Sequence, residues 1–261
     1  MSVRGSLQTT EKAPMMRQAS SRSKGNTYRK TAVTVGILFI IGTVAGIFSG
    51  VLTAPILDAP NYLNEVSANE SQLVLGALLV LVMGFPLAMI PVVMFPIFRK
   101  YNEPLALGAV VFRGVLEAMA YILMVLCWLV LIPLSQEFVN AGAQDAAHWQ
   151  ALGSVLMDGV YWINHILALV FTIGAAMLYW LFWKTKLIPS WLALWGFFGA
   201  ILYFAAPIAN MLDPARLPLT LGVKWGYLMI PLAIHEMVSA LWLIVKGFDG
   251  TAVTALLTPQ Q

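Results

Sequence analysis

Residues 72–96 read QLVLGALLVLVMGFPLAMIPVVMFP, and this stretch decides the fold class. It holds no charged side chain and exceeds the roughly 20 residues a helix needs to cross about 30 Å of hydrocarbon. Its apolar residues do not alternate with period two, and an open sheet would leave unpaired edges in lipid, so the stretch reads as a membrane-spanning helix. Comparable apolar runs lie near 31–54, 105–132, 157–183, 189–210 and 225–246. The expected fold is therefore all-α, a polytopic integral membrane six-helix bundle.

Composition supports that class. Hydrophobic residues make up 60% of the chain and charged ones 10%, with a mean hydropathy of +0.81. A soluble domain of ordinary composition, about a quarter charged, could not hide so much apolar side chain. The exception is the start, where Arg4, Lys12, Arg17, Arg22, Lys24, Arg29 and Lys30 face a single acid, Glu11. Three domains are expected: a disordered basic cytoplasmic tail over 1–30, the six-span domain over 31–247, and a short cytoplasmic tail over 248–261. The basic stretch has one Tyr and no Trp or Phe, so anionic membrane lipid, not nucleic acid, is its expected partner. It is not a signal peptide, because the apolar run that follows is too long and further spans succeed it.

Basic residues set the expected orientation. The tail, Arg99, Lys100, Lys184, Lys186 and Lys246 fall on one side, whereas the connections 55–71 and 133–152 carry no Lys or Arg. Both termini are expected in the cytoplasm; Arg216 and Lys224 on the far side weaken the bias without reversing it. The 55–71 connection follows Ala54-Pro55 and holds the glycosylation triplet Asn69-Glu70-Ser71, a pattern of low specificity. The 133–152 connection has room for a short interfacial helix anchored by Phe138 and Trp149. Trp180, Trp183, Trp191 and Trp195 bracket the turn at Pro189 and read as headgroup-level anchors.

Small residues and prolines mark packing and bending. Gly42, Gly46 and Gly50 form a smooth stripe for close approach by a helix of this chain, a second copy or another membrane protein. Pro86, Pro91 and Pro96 each remove a backbone donor from the second span, and Pro207 and Pro231 are expected to break the fifth and sixth.

The functional argument starts from ionisable residues placed where insertion is costly. Arg113 and Glu117, four apart in Phe112-Arg113-Gly114-Val115-Leu116-Glu117, share a helix face and are expected to pair. A rise of 1.5 Å per residue puts them roughly 12 and 18 Å into the membrane. His235 and Glu236 lie roughly 15–17 Å deep on the same scale, level with Glu117. The expected intramembrane polar network is Arg113, Glu117 and Glu236, with His235 at its edge. Two carboxylates around one guanidinium leave negative charge that favours a proton or a cation. Asp158, Asn164 and His165 lie nearer the outer boundary and are expected to line an outer vestibule.

No motif identifies a reaction, so catalytic residues and cofactors stay unassigned. There is no HExxH pair, since Ser239 stands four after His235, and no phosphate loop or GxSxG elbow. His165 and His235 differ by about 10 Å in depth, which suits no bis-histidine haem. Cys127 is the only cysteine, which rules out an intramolecular disulfide, and no metal is assigned. Three functions fit the central set: a structural or accessory subunit whose Arg/Glu network fixes its bundle, a proton-coupled small-molecule transporter, or a membrane-embedded metal-dependent enzyme.

The chain resembles the DUF4386 family of bacterial multi-pass membrane proteins over approximately residues 29–247. The resemblance rests on Arg29-Lys30-Thr31-Ala32, Ala54-Pro55-Ile56-Leu57 with Asn69-Glu70, Phe112 to Glu117, Lys186-Leu187-Ile188-Pro189-Ser190-Trp191-Leu192, and Glu236-Met237 with Trp242 to Phe248. It implies a multi-span membrane domain whose polar positions match Arg113, Glu117 and Glu236. His235 stands where the family pattern has asparagine, so a histidine-dependent activity is either peculiar to this chain or absent. The family implies no reaction.

Overall fold

A computed structural model of the chain describes residues 7–141, 143–220 and 223–257, with side chains from Thr27 onward. Eight α-helices follow in order: α1 Leu7–Leu57, α2 Tyr62–Ala68, α3 Glu70–Ala109, α4 Glu117–Asn140, α5 Ala143–Thr185, α6 Ser190–Met211, α7 Ile230–Val245 and α8 Gly250–Leu257. A π-helical segment, Val110–Leu116, joins α3 to α4, and a 3₁₀ turn, Gly226–Met229, leads into α7. Helix α1 thus begins inside the stretch expected as a basic tail; residues 1–6 of that expectation lie outside the described residues, as do 258–261 of the C-terminal one.

The expected six-helix bundle is corrected by this order. Counted as unbroken stretches, the described residues form seven helices, of which five are long and apolar enough to cross a membrane. Two causes combine. The second and third expected spans merge into one stretch, Glu70–Asn140, because the backbone departs from helical geometry only at Asn102 (φ −154°, ψ 101°). The short helices α2 and α8 then add two that lie far below spanning length, which hydropathy does not register.

Asn102 makes that stretch a hairpin. Its side chain accepts the Leu105 N–H at 2.9 Å, an N-cap for the returning arm, and Pro104 follows where its missing donor costs nothing. The arms run antiparallel: Gln136 donates to Glu70 at 2.6 Å, and a Cβ on Gly84 would lie 2.6 Å from the Tyr121 ring.

Helices α4 and α5 run past the boundaries expected of them and meet near residue 142, so the 133–152 connection is nearly all helix. Its five Ala and three Gln, with no glycine but Gly142, help a helix propagate once it is nucleated. Pro231 is a further difference: it sits in the first turn of α7, where proline is tolerated, and breaks nothing. Gly42 and Gly46 receive Leu87 and Met83 of α3, so that part of the stripe packs within the chain, whereas nothing approaches Gly50.

Two apolar clusters stack along the bundle. One, around Phe39, Met94, Phe98, Leu178, Phe182 and Leu243, fills the half nearest the termini. The other, around Leu63, Val66, Val80, Met124, Trp128 and Leu131, fills the opposite half and holds α2 against α4. The terminal end is closed by Arg29, whose guanidinium donates to the carbonyls of Leu243, Ile244 and Val245 at 3.4, 2.6 and 3.2 Å, capping the C-terminus of α7. Gly247 follows in the left-handed region (φ 76°) that favours glycine. Asp249 then caps α8, accepting from the N–H groups of Thr251 and Ala252 and from the Thr251 hydroxyl.

Candidate functional site

Between the two clusters lies a polar layer. Arg113 enters it from the π-helical segment and is fully buried, with Nη2 at 2.7 Å from Oε1 of Glu236 on α7. The Tyr179 hydroxyl donates to the same oxygen at 3.3 Å. The rings of Phe171 and Phe39 stand 4.6 and 5.7 Å from the guanidinium carbon, so aromatic faces cover the cation where hydrogen bonds do not. The arrangement is held tightly, because α5 presents Gly174, where a Cβ would lie 2.6 Å from the Arg113 backbone nitrogen. A buried salt bridge, Arg113–Glu236, thus joins the third and sixth expected spans, consistent with an intramembrane network.

The pairing of Arg113 with Glu117 does not form. Four-residue spacing faces two side chains only where winding is α-helical, and Arg113 lies in a π-helical segment that ends one residue before Glu117. Glu117 is fully buried; no hydrogen bond of good geometry reaches either carboxylate oxygen among the described residues, and the Tyr121 hydroxyl one turn on is close enough to donate weakly to it. Both acids open onto one cavity of about 240 Å³, whose wall also carries Tyr121, Asn164, Phe171 and Tyr203. Leu219 and Met229 reach it from the segment between α6 and α7.

His235 points away from this cavity, as the turn of about 100° between neighbouring helical residues requires. Its Nε2 lies 2.9 Å from the Leu192 carbonyl on α6 and 3.0 Å from the Ser239 hydroxyl. A carbonyl only accepts, so Nε2 carries the proton, and Nδ1 is left unpartnered. Tyr179 and Trp195 pack edge-on against the ring, and Gly196 leaves it room.

The three residues expected at an outer vestibule are separated. Asp158 is exposed, Asn164 faces the central cavity, and His165 is buried against α6. His165 Nδ1 lies 2.7 Å from the Tyr161 carbonyl, and Nε2 lies 3.0 Å from the Asn210 amide nitrogen. That amide also donates to the Leu217 carbonyl at 2.8 Å, pinning the segment beyond α6. Tyr179, Phe171, Tyr203 and Asn210 went unseen in the sequence reading; a buried phenol or amide in an apolar run is the only signal they gave. No group of three or more His, Cys, Asp or Glu side chains converges as a metal site among the described residues.

The profile described as Domain of unknown function (DUF4386) matches residues 34–247. Comparisons with curated proteins and with solved structures return no significant match.

Proposed function

The chain belongs to the DUF4386 family, a domain of unknown function, and we propose that this multi-pass membrane protein is a small-solute carrier in which Glu117 exchanges a proton from the central chamber. One observation carries the reading. Glu117 is fully buried with no hydrogen bond of good geometry to either carboxylate oxygen among the described residues, and it lies on the wall of a cavity of about 240 Å³. A network serving only as a brace satisfies its polar members, because a half-satisfied one is worse than an apolar core. Here Glu236 accepts from Arg113 and Tyr179, Arg113 keeps Nε and Nη1 without a hydrogen-bond partner among the described residues beside the Phe39 and Phe171 rings, and Glu117 is the acid on the cavity wall left without an ion pair. Two backbone features support movement around it. Pro86 and Pro91 interrupt the hydrogen-bond ladder of α3, and the π-helical segment directly precedes Glu117.

Structural and active roles divide between the acids in this reading. Arg113 and Glu236 brace the bundle, as an accessory or structural subunit would need, and Glu117 does the chemistry. The face bearing Arg29, Lys30, Arg99, Lys100, Lys184, Lys186 and Lys246 is assigned to the cytoplasm of a bacterial inner membrane on the bias of its cations. Residues 1–30 then form its basic cytoplasmic tail, 31–247 the membrane domain and 248–261 the second tail. Lipid covers the exposed Ile47, Phe48 and Val51 around open Gly50, and the same face of α1 suits a second copy or another membrane protein.

The test is reconstitution into liposomes carrying an internal pH dye. The wild-type protein is expected to move protons when a transported solute gradient is imposed, and Glu117→Gln to abolish this at unchanged expression and elution profile. Proton movement that survives Glu117→Gln refutes the assignment.

A further inference from the structure

We infer that the chamber takes a small organic cation, a protonated amine that donates N–H groups to Glu117. The inference names the solute class for the carrier reading above and rests on it. The chamber wall carries two carboxylates, two phenols, one amide and the Thr43 hydroxyl, and no Lys, Arg or His among the described residues. Arg113 is not part of the wall; it is held behind Phe171 and Phe39 and spends its charge on Glu236. One guanidinium cannot neutralise two carboxylates, so when both are ionised one negative charge is left over at the wall on which both acids lie, and Glu117 is the acid without an ion pair.

Other solute classes fit less well. An anion would meet Glu117 and Glu236 with no cation on the wall to receive it. A neutral alcohol offers one donor, whereas an ionised carboxylate has about four acceptor sites, and on Glu117 only Tyr121 among the described residues stands near enough to use one. An ammonium group supplies three donors and the missing charge together. A calcium site draws its about six to eight oxygens largely from clustered carboxylates, and no third His, Cys, Asp or Glu converges with the two acids of this wall among the described residues. The aromatic wall completes the match. Phe171 and Tyr203 pack at 5.2 Å in an edge-to-face arrangement beside Tyr121, offering ring faces to a cation. The volume of about 240 Å³ lies below the range of about 300–1,000 Å³ typical of drug-sized ligands. The solute is therefore compact, with one amine on a small apolar body.

Calorimetric titration of the full-length protein in lipid nanodiscs near neutral pH tests this with four probes of similar size. Benzylamine is expected to bind saturably, benzyl alcohol and phenylacetate at least ten-fold more weakly, and tetraethylammonium, which has no N–H, more weakly than benzylamine. Glu117→Gln is expected to lower benzylamine affinity at least ten-fold, with an unchanged melting temperature as the fold control. If that variant does not fold, the probe series on the wild-type protein decides alone. Benzyl alcohol or phenylacetate binding as tightly as benzylamine overturns the inference, and so does the absence of saturable benzylamine binding at millimolar concentration. Amine binding without proton movement in liposomes would sink the carrier reading and leave the ligand class standing. Proton movement with no preference for amines would do the reverse.

Discussion

Two ion pairs in this molecule have nearly the same length and opposite surroundings. Arg113 and Glu236 meet at 2.7 Å in the polar layer, with side chains 0% and 12% exposed. Lys224 and Asp213 meet at 2.6 Å beyond α6, where the lysine is 55% exposed. Distance alone would rank them equal. What differs is the alternative open to each charge when its partner is removed: Lys224 turns to water, and Arg113 has only Phe39, Phe171 and the buried Glu117. A buried pair is thus valuable chiefly because a broken one is intolerable.

The largest expected effect breaks the first pair. Glu236→Leu strands a guanidinium and should lower stability by about 3–5 kcal/mol, read as thermal unfolding in detergent. The double variant Arg113→Met with Glu236→Leu should recover most of that loss, because an apolar replacement of both partners is often neutral. Equal losses in single and double variants would erase the contrast with the exposed pair. Next comes Gly174→Ala, which forces a methyl against the Arg113 backbone and should cost about 2 kcal/mol without touching any charge. A smaller loss, about 1 kcal/mol, is expected from Asn210→Ala, which takes the donor from His165 and frees the Leu217 carbonyl. Faster amide exchange around residue 217 would accompany it.

The smallest effect belongs to Asp213→Asn and is visible mainly through pH. Hydrogen bonds from Lys224, the Ala215 N–H and the Trp225 indole hold the Asp213 carboxyl down at about 2. A carboxyl held below its unfolded value, near 4, stabilises the fold above that value and ceases to do so as pH falls through about 2. Wild type and variant should therefore differ modestly at neutral pH and converge in strong acid. A gap that widens below pH 4 would contradict the assignment.

The sequence made the crossings and the mid-depth polar residues legible for the same reason: twenty apolar residues in a row are conspicuous, and so is an arginine or glutamate inside them. Depth counting placed Glu117 level with Glu236 and Arg113 about a turn shallower, and it is Arg113 that pairs with Glu236. It failed for Arg113 with Glu117 because counting assumes one helical winding, and the π-helical segment is invisible in Val110–Leu116 as text. Helix α2 was hidden by brevity, since Leu63 and Val66 are its only buried residues. The merged hairpin was hidden because Asn102-Glu103-Pro104 reads as a loop and folds as a single-residue interruption. Rotation was the deepest gap. Nothing in the spacing of Asp158, Asn164 and His165 says that one meets solvent, one the chamber and one the neighbouring helix.

The clasp at the terminal end bears on how the protein is made. Arg29 is translated among the first residues of the membrane domain, and the carbonyls it caps, from Leu243 to Val245, among the last. Through nearly all of synthesis the guanidinium has no partner, and α7 arrives with its final turn uncapped. The seam between α1 and α7 therefore closes only once α7 has been made. A ribosome that stalls before residue 243 releases a bundle with an open seam, and the side chain that would have sealed it waits at the membrane surface.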